Sequence, residues 1–443
     1  MTGARVCRFA FFVAIAAALT AQSRPPRATV YEHARIIDGN GGPAIENGSL
    51  VVIDGHFRQI GTNVAAPQAE HVDLAGKTVM PALVDAHVHL GYRKGTTFTA
   101  DNFTRETIRE QLNQFAHWGV SGVLSTGTDI GELIFRVRSD TDAKNYAGTI
   151  VRTAWRGIAL PDGGPRPPMS AGPFAVKTEA EARADVRELA ARKADFVKIW
   201  VDDRGGTAPK LPPEIYTAAI DEAHKHNLRV IAHAVTLADT KALLRANIDG
   251  FAHLFRDREA DADVLGLLKA RPNVFFMLTM WAPANAALVQ PPAWVNDPAL
   301  RATATEAQIA QFTDAFRSRT SLSVAAAREE LATLQKNVAT LNKTGVTLIL
   351  GTDAGGASAG PLLGWIEHIE LEDMVAGGMT PSAAIGAATR ASAAALRLDQ
   401  LGTIAAGKRA DFIVLDANPL ENIANSRKIA RVYQRGVEVP RQP

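Results

Sequence analysis

The stretch Val84-Asp85-Ala86-His87-Val88-His89-Leu90 sets two histidines one residue apart inside an otherwise apolar run. On a strand the side-chain period is two, so both imidazoles project from one face, as a shared metal ion requires. Val84, Ala86, Val88 and Leu90 then point the other way, into a packed layer. The chain supplies its own control in Glu222-Ala223-His224-Lys225-His226. That stretch reads as helix, where a two-residue step turns about 200° and sends the rings apart. The second pair is read as solvated helix surface, and only the first points to a site.

Outward from the first pair, strand and helix alternate. Apolar strand candidates run over 83–90, 120–126, 149–155, 196–201, 229–234, 250–254, 274–279 and 346–353. Helical stretches such as 179–193 and 213–226 separate most of them. Eight parallel strands with intervening helices predict an α/β fold, a (β/α)8 TIM barrel whose active site forms at the C-terminal strand ends. Two long connections follow strands and therefore lie on that face. Residues 160–173 are rich in proline and glycine, and 280–342 carry an alanine-rich helical segment from about Glu306. Both read as lids or substrate walls, the second equally as an oligomer-contact insert.

The two ends have a different texture. Short strands at 29–37, 49–53 and 57–60 are broken by Asp38-Gly39-Asn40-Gly41-Gly42 and Asp54-Gly55, and similar strands recur at 402–404, 411–415 and 429–433. Neither piece can bury a core alone, so the ends are expected to meet in one small composite β-sandwich. The resulting division is 1–21 signal peptide, 22–80 sandwich, 81–399 barrel and 400–443 sandwich.

Hydrophobic content of 47% and charged content of 21% over 443 residues are ordinary for a soluble enzyme. Arg5 and Arg8 precede an uncharged run from Phe9 to Ala21, which reads as a secretory signal too short to span a bilayer comfortably. The expectation is export to the periplasm or beyond, without stable membrane insertion after signal removal. Cys7, the single cysteine, would leave with that segment. The 48 basic residues would fall to 46 against 46 acidic ones, and a neutral chain without a basic run argues against nucleic acid as a partner.

Ionisable residues at the C-terminal ends of the strand candidates form a short list: His87 and His89, Lys198, His233, His253 and Asp353. Each sits in apolar sequence, where an unpaired charge is costly. Six at equivalent strand ends are hard to explain by packing. His33, His56, His71, His117 and His368 lack that placement and read as surface or core residues.

This set resembles the amidohydrolase superfamily, in its binuclear-metal type with a carbamylated lysine. The likeness is carried by 81–90, by Gly351-Thr352-Asp353-Ala354-Gly355, by 379–385 and by 402–412. It spans nearly the whole mature chain, is nearest to the imidazolonepropionase-like and Xaa-Pro dipeptidase-like group, and departs where Ala82 replaces the usual glycine. The resemblance implies that His87, His89 and Asp353 hold one divalent ion and His233 and His253 the other. Lys198 bridges both as N6-carboxylysine, formed with CO2. A lysine ammonium has no lone pair, whereas a carbamate offers two oxygens. Neutral imidazoles and a carboxylate complete N/O sites suited to Zn2+, with Mn2+, Co2+ or Fe2+ also permitted. Asp353 is implied to be catalytic, taking a proton from a metal-bridging hydroxide and passing it to the leaving nitrogen.

The implied enzyme is a metal-dependent amidohydrolase cleaving a C–N amide bond in an N-acyl amino acid, a dipeptide or a cyclic amide. The alternative is a lactonase, carbamate or phosphotriester hydrolase on the same centre. An inactive relative would have lost ligands, and here all six positions are filled. Substrate contacts are expected from Tyr92, Trp200 and Arg204, with Arg93, Lys94, Trp155 and Trp281 equally readable as structural. Asp202-Asp203-Arg204-Gly205-Gly206 stands where the dipeptidase-like relatives carry a less charged Ser-Gly-Gly turn, which puts an ordinary dipeptide in doubt. The partner is a small-molecule substrate, and relatives of this group commonly form homo-oligomers.

Overall fold

Hydrogen bonds of the backbone draw the alternating middle of the chain into parallel strands. The computed structural model describes residues 28–356 and 362–441, so the stretch read as an export signal lies outside the described residues. Leu83–Val88, Val120–Ser125 and Ile150–Thr153 form one parallel set. A second runs from Phe174–Ala175 through Ile158–Ala159, Phe196–Trp200, Arg229–His233, Gly250–Phe251 and Phe275–Met277 to Thr347–Ile349. The sets touch on both sides. Asp195 N donates to Thr153 O at 2.8 Å, and Ala86 N and Asp353 N donate to Leu350 O and His87 O at 3.0 and 2.8 Å. The result is a TIM-barrel-like α/β fold.

Helices cover the outside, and their starts follow from the sequence. Thr104, Thr178, Thr236, Asp261 and Thr320 each accept a backbone N–H three residues on, before helices Arg105–His117, Glu179–Ala191, Leu237–Arg245, Ala262–Lys269 and Ser321–Lys343. The last of these belongs to the long insert. Its buried Asn337 donates to the carbonyls of Phe255 and Arg258 and accepts from Ala260 N, which fastens the insert to the loop after Gly250–Phe251.

Two apolar layers lie on opposite sides of the strands. Val84, Ala86, Leu124, Ala154, Phe196, Ile231, Ala252, Phe275, Met277 and Ile349 fill the interior. Val88, Leu90, Val123, Val151, Val197, Ile199 and Phe276 pack with helix residues such as Ile108, Leu112 and Val186. This corrects the period-two reading of the first strand. Val84 and Ala86 do not share a face with Val88 and Leu90, because the pairing with Val120–Ser125 shifts register between Asp85 and Val88. The irregularity reverses the inside–outside alternation there. His87 therefore follows an inward residue directly and still faces inward.

The ends of the chain join one eight-stranded sheet. Phe412–Leu415 pairs antiparallel with both Thr78–Pro81 and Ile429–Gln434, while Ala28–Ile36 links Thr78–Pro81 to Ile45–Ile53 and His56–Gly61. Tyr31, Ile36, Leu50, Phe57, Val79, Phe412 and Tyr433 form its core, with Phe412 stacked on Tyr433 at 4.6 Å. Residues 402–404 are not a strand; Ile404 N makes one bond to Asp38 O instead of a ladder.

Candidate metal centre

The strand ends bring the six residues into one region. His87 and His89 leave the first strand with ring centroids 5.3 Å apart, and His253 lies 5.0 Å from His87 and 4.4 Å from His233. Asp353 Oδ1 stands 2.9 Å from His89 Nε2 and 3.5 Å from His87 Nε2. Ligand atoms of His87, His89 and Asp353 all lie within 4.8 Å of one another. Asp353 has a positive φ of 60°, an uncommon state for a side-chain-bearing residue and one that concentrates at functional sites. Gly355 makes the same turn feasible: at φ +79°, a Cβ there would sit 2.1 Å from the His89 carbonyl oxygen.

Each imidazole is held by its outer nitrogen. His87 Nδ1 meets the Ala252 carbonyl at 2.9 Å, His89 Nδ1 meets Thr128 Oγ1 at 2.8 Å, and His253 Nδ1 meets Thr279 Oγ1 at 2.7 Å. His233 is turned the other way, with Nε2 3.1 Å from Asp202 Oδ2 and Nδ1 2.9 Å from His253 Nε2. A carbonyl only accepts, so the His87 proton sits on Nδ1 and a lone pair on Nε2 faces the Asp353 carboxylate. Burial holds the His87 pKa well below its usual value, with the Lys198 charge adding to the effect. Burial alone would raise the Asp353 carboxyl, but the His89, His87 and His233 imidazoles outweigh it and hold the group well below the carboxylate range. His87 thus presents a lone pair, and Asp353 its carboxylate oxygens, to the same space, beside His89 Nε2. The donor set fits divalent metal.

Lys198 is fully enclosed. A Cβ on Gly127 would lie 2.8 Å from its Cβ and Cγ, and its Nζ stands 5.3 Å over the Trp200 ring. Burial pulls the ammonium down to about 7, opposed by Asp353. Burial also lowers the His253 and His233 pKa values, leaving neutral rings suited to ligation. The solvent side of the region is marked by His233, Asp353 and Asp202, whose side chains are 25%, 20% and 16% exposed.

The expected substrate contacts are placed unevenly. Tyr92 is fully buried, its hydroxyl bonded to the Thr128 carbonyl and its ring against Phe98 and Phe103. Trp200 is nearly buried, packed so closely to Gly157 that a Cβ there would lie 2.2 Å from its ring. Arg204 is half-buried on the turn after Lys198. Arg93 donates to the Gly356 carbonyl and covers Phe98. Trp155 donates to the Gly131 carbonyl, and Trp281 stacks on Phe312. His224 and His226 are on the surface at the end of helix Pro213–Lys225, His224 paired with Asp249. The orienting partners Thr128, Thr279 and Asp202 escaped the sequence reading. Asp202 carried a signal, as an acid within four residues of Lys198; the threonines carried none.

The model of the Amidohydrolase family matches residues 78–439. A 5-methylthioadenosine/S-adenosylhomocysteine deaminase of Halalkalibacterium halodurans is 23% identical over 422 residues, covering 88% of this chain and 85% of that protein. Ochratoxinase of Aspergillus niger is 25% identical over 449 residues, covering 90% and 83%. A crystal structure of a Xaa-Pro dipeptidase with bound methionine in its active site superposes with a TM-score of 0.70 at 22% identity, covering 93% of this chain and 99% of that one.

Proposed function

The chain belongs to the amidohydrolase family, hydrolases acting on carbon–nitrogen bonds, and on that premise we propose that it cleaves a C–N amide bond at a centre of two divalent ions, with Zn2+ the first choice. The substrate class we assign is an N-acyl amino acid, a dipeptide or a cyclic amide. The observation that carries the reading is the convergence of His87, His89 and Asp353, whose ligand atoms all lie within 4.8 Å of one another.

His87, His89 and Asp353 would hold one ion and His233 and His253 the other. Lys198 would serve both as a carbamate: its neutral amine adds to CO2 with loss of a proton, leaving an anionic two-oxygen group. When bound, the ions supply Lewis acidity and lower the pKa of water toward neutrality. Asp353 does the proton work. Its carboxylate is ionised and partly open to the mouth, so Oδ1 or Oδ2 can take a proton from water and deliver it to the leaving nitrogen. Trp200 and Arg204 are the side chains we assign to the substrate, while Tyr92 acts on the site through Thr128.

The same reading takes the strands as a closed (β/α)8 barrel at 81–399, the terminal sheet as a composite sandwich of 22–80 and 400–443, and residues 1–21 as an export signal. No described helix is long and apolar enough to cross a membrane. A homo-oligomer acting on a small molecule completes it.

The test combines metal analysis with a hydrolysis screen. Two equivalents of metal and turnover of amides, with lactones and phosphotriesters untouched, support the reading. Lys198→Ala should lose metal and activity together; full metal content with full activity in that variant sinks the bridging role. Turnover confined to lactones or phosphotriesters overturns the substrate class.

A further inference from the structure

We propose that Asp202 is a positioning residue of the centre, whose carboxylate locks the His233 proton on Nε2 and so presents Nδ1 inward as a permanent lone pair. The proposal rests on reading His233 and His253 as metal ligands. A carboxylate can only accept, so the 3.1 Å contact between Asp202 Oδ2 and His233 Nε2 admits one tautomer of the neutral ring. The inward atom, Nδ1, then faces His253 Nε2 at 2.9 Å.

The turn after Lys198 is built to hold that carboxylate. Arg204, at a positive φ of 51°, folds back so that its N–H donates to Asp202 Oδ1 at 2.9 Å. Asp203 does the structural work of the turn. It accepts from the backbone of Gly205 and Gly206 and pairs with Lys210, which is tied in turn to Asp239. Of two adjacent acids, one points out and fastens the loop, and the other points in at an imidazole. The charged turn that distinguishes this chain thus has an assignment inside the site.

The four imidazoles fall into two kinds. His87 and His233 are held by pure acceptors, a carbonyl and a carboxylate, and cannot change tautomer without losing a bond. His89 and His253 are held by the hydroxyls of Thr128 and Thr279, which donate or accept on rotation. Each side of the centre therefore has one fixed and one adjustable ring. Without metal, His253 Nε2 can donate to His233 Nδ1 and receive the Thr279 proton at Nδ1. For His253 to ligate, its proton moves to Nδ1 and the hydroxyl turns to accept it. His233 needs no such change, provided Asp202 is present. Without Asp202, its proton can sit on Nδ1 and block the inward position.

The experiment uses the full chain labelled with 15N-histidine, before and after addition of Zn2+ alone, in the wild type, Asp202→Ala and Asp202→Asn, with His233→Gln to assign the resonance. We expect wild-type His233 to be purely the Nε2–H tautomer. In Asp202→Ala the Nδ1–H form should appear before zinc is added. One of two zinc ions should bind 10- to 100-fold more weakly by chelator competition, the other within about twofold. Asp202→Asn, which keeps an acceptor oxygen, should fall between. An unchanged tautomer in Asp202→Ala, or equal loss of both ions, overturns the proposal. If Asp202→Ala fails to fold, Asp202→Leu, which likewise offers no acceptor, is read in its place, and a wild-type tautomer with wild-type zinc affinity there overturns the proposal equally. A wild type that is purely Nε2–H, with the Nδ1–H form appearing in Asp202→Ala, but that binds no zinc refutes the metal reading and leaves the Asp202–His233 lock standing.

Discussion

Thr279→Val removes one hydroxyl from the centre and almost nothing else. Thr279 Oγ1 lies 2.7 Å from His253 Nδ1, and the residue is 2% exposed, which leaves no water to take its place. Valine keeps the shape and the β-branch, so packing and backbone strain stay constant. In the proposed centre Nε2 of His253 would ligate with its proton on Nδ1, and valine would leave that buried donor without an acceptor. Orphaning a buried donor costs about 1–3 kcal/mol, and every 1.4 kcal/mol is tenfold in affinity. Zinc affinity should accordingly fall between about 5- and 140-fold. Thr279→Ser is the matched control. It retains the hydroxyl and should hold zinc within about threefold of wild type. It also eases the positive φ of 46°, which a β-branched residue tolerates poorly. The assay is chelator competition on the full chain, with thermal unfolding of the metal-free protein alongside. If Thr279→Val binds zinc as tightly as wild type, the hydroxyl is not what holds His253, and the account of adjustable and fixed rings fails.

Other expectations follow from single contacts. His368 is fully buried, bonded to the Trp118 carbonyl and Ser426 Oγ, and burial pushes its pKa down to about 4. The unfolded chain takes up that proton first, so this contribution is complete above about pH 6.5 and drains as pH falls toward 4. About 2–3 kcal/mol should be lost by pH 4.5, read as the urea-unfolding difference between pH 7.5 and 4.5; His368→Gln should lose correspondingly less, and equal losses would refute it. Gly355→Ala combines a left-handed φ with a Cβ 2.1 Å from the His89 carbonyl oxygen. It should displace the His89 and Asp353 loops and cost at least about 2 kcal/mol, with loss of metal content seen by elemental analysis. Gly157→Ala would press on the Trp200 ring and the Lys198 carbonyl, and should lower turnover more than it lowers melting temperature.

Much of the barrel region could be read from local pattern. The apolar runs at 196–201 and 229–234 became Phe196–Trp200 and Arg229–His233 because inward and outward layers are both apolar there. Lys198, His233, His253 and Asp353 stood out as charges in such runs. What local pattern could not show was long range. Thr128 meets His89, and Thr279 meets His253, across loops that no periodicity links. Strand Thr78–Pro81 was missed because it is short and ends in proline, yet it lies between the two chain ends and pairs with both. The face assignment of Val88 and Leu90 failed at the register shift, which period-two counting cannot detect.

That shift makes the first strand a matter of phase. Ala86 lies in the interior layer and His87 in the centre above it, so two successive residues point inward and the lower one must be small. Ala86 is fully buried in that layer, and a larger side chain there would have to displace its apolar neighbours. Length matters as strictly as bulk. One residue added between Ala86 and His87 would turn both histidines out toward the helices with every ligand still present in the sequence. A count of ligands can therefore be complete in a chain that holds no metal, and the spacing beneath His87 distinguishes the two cases.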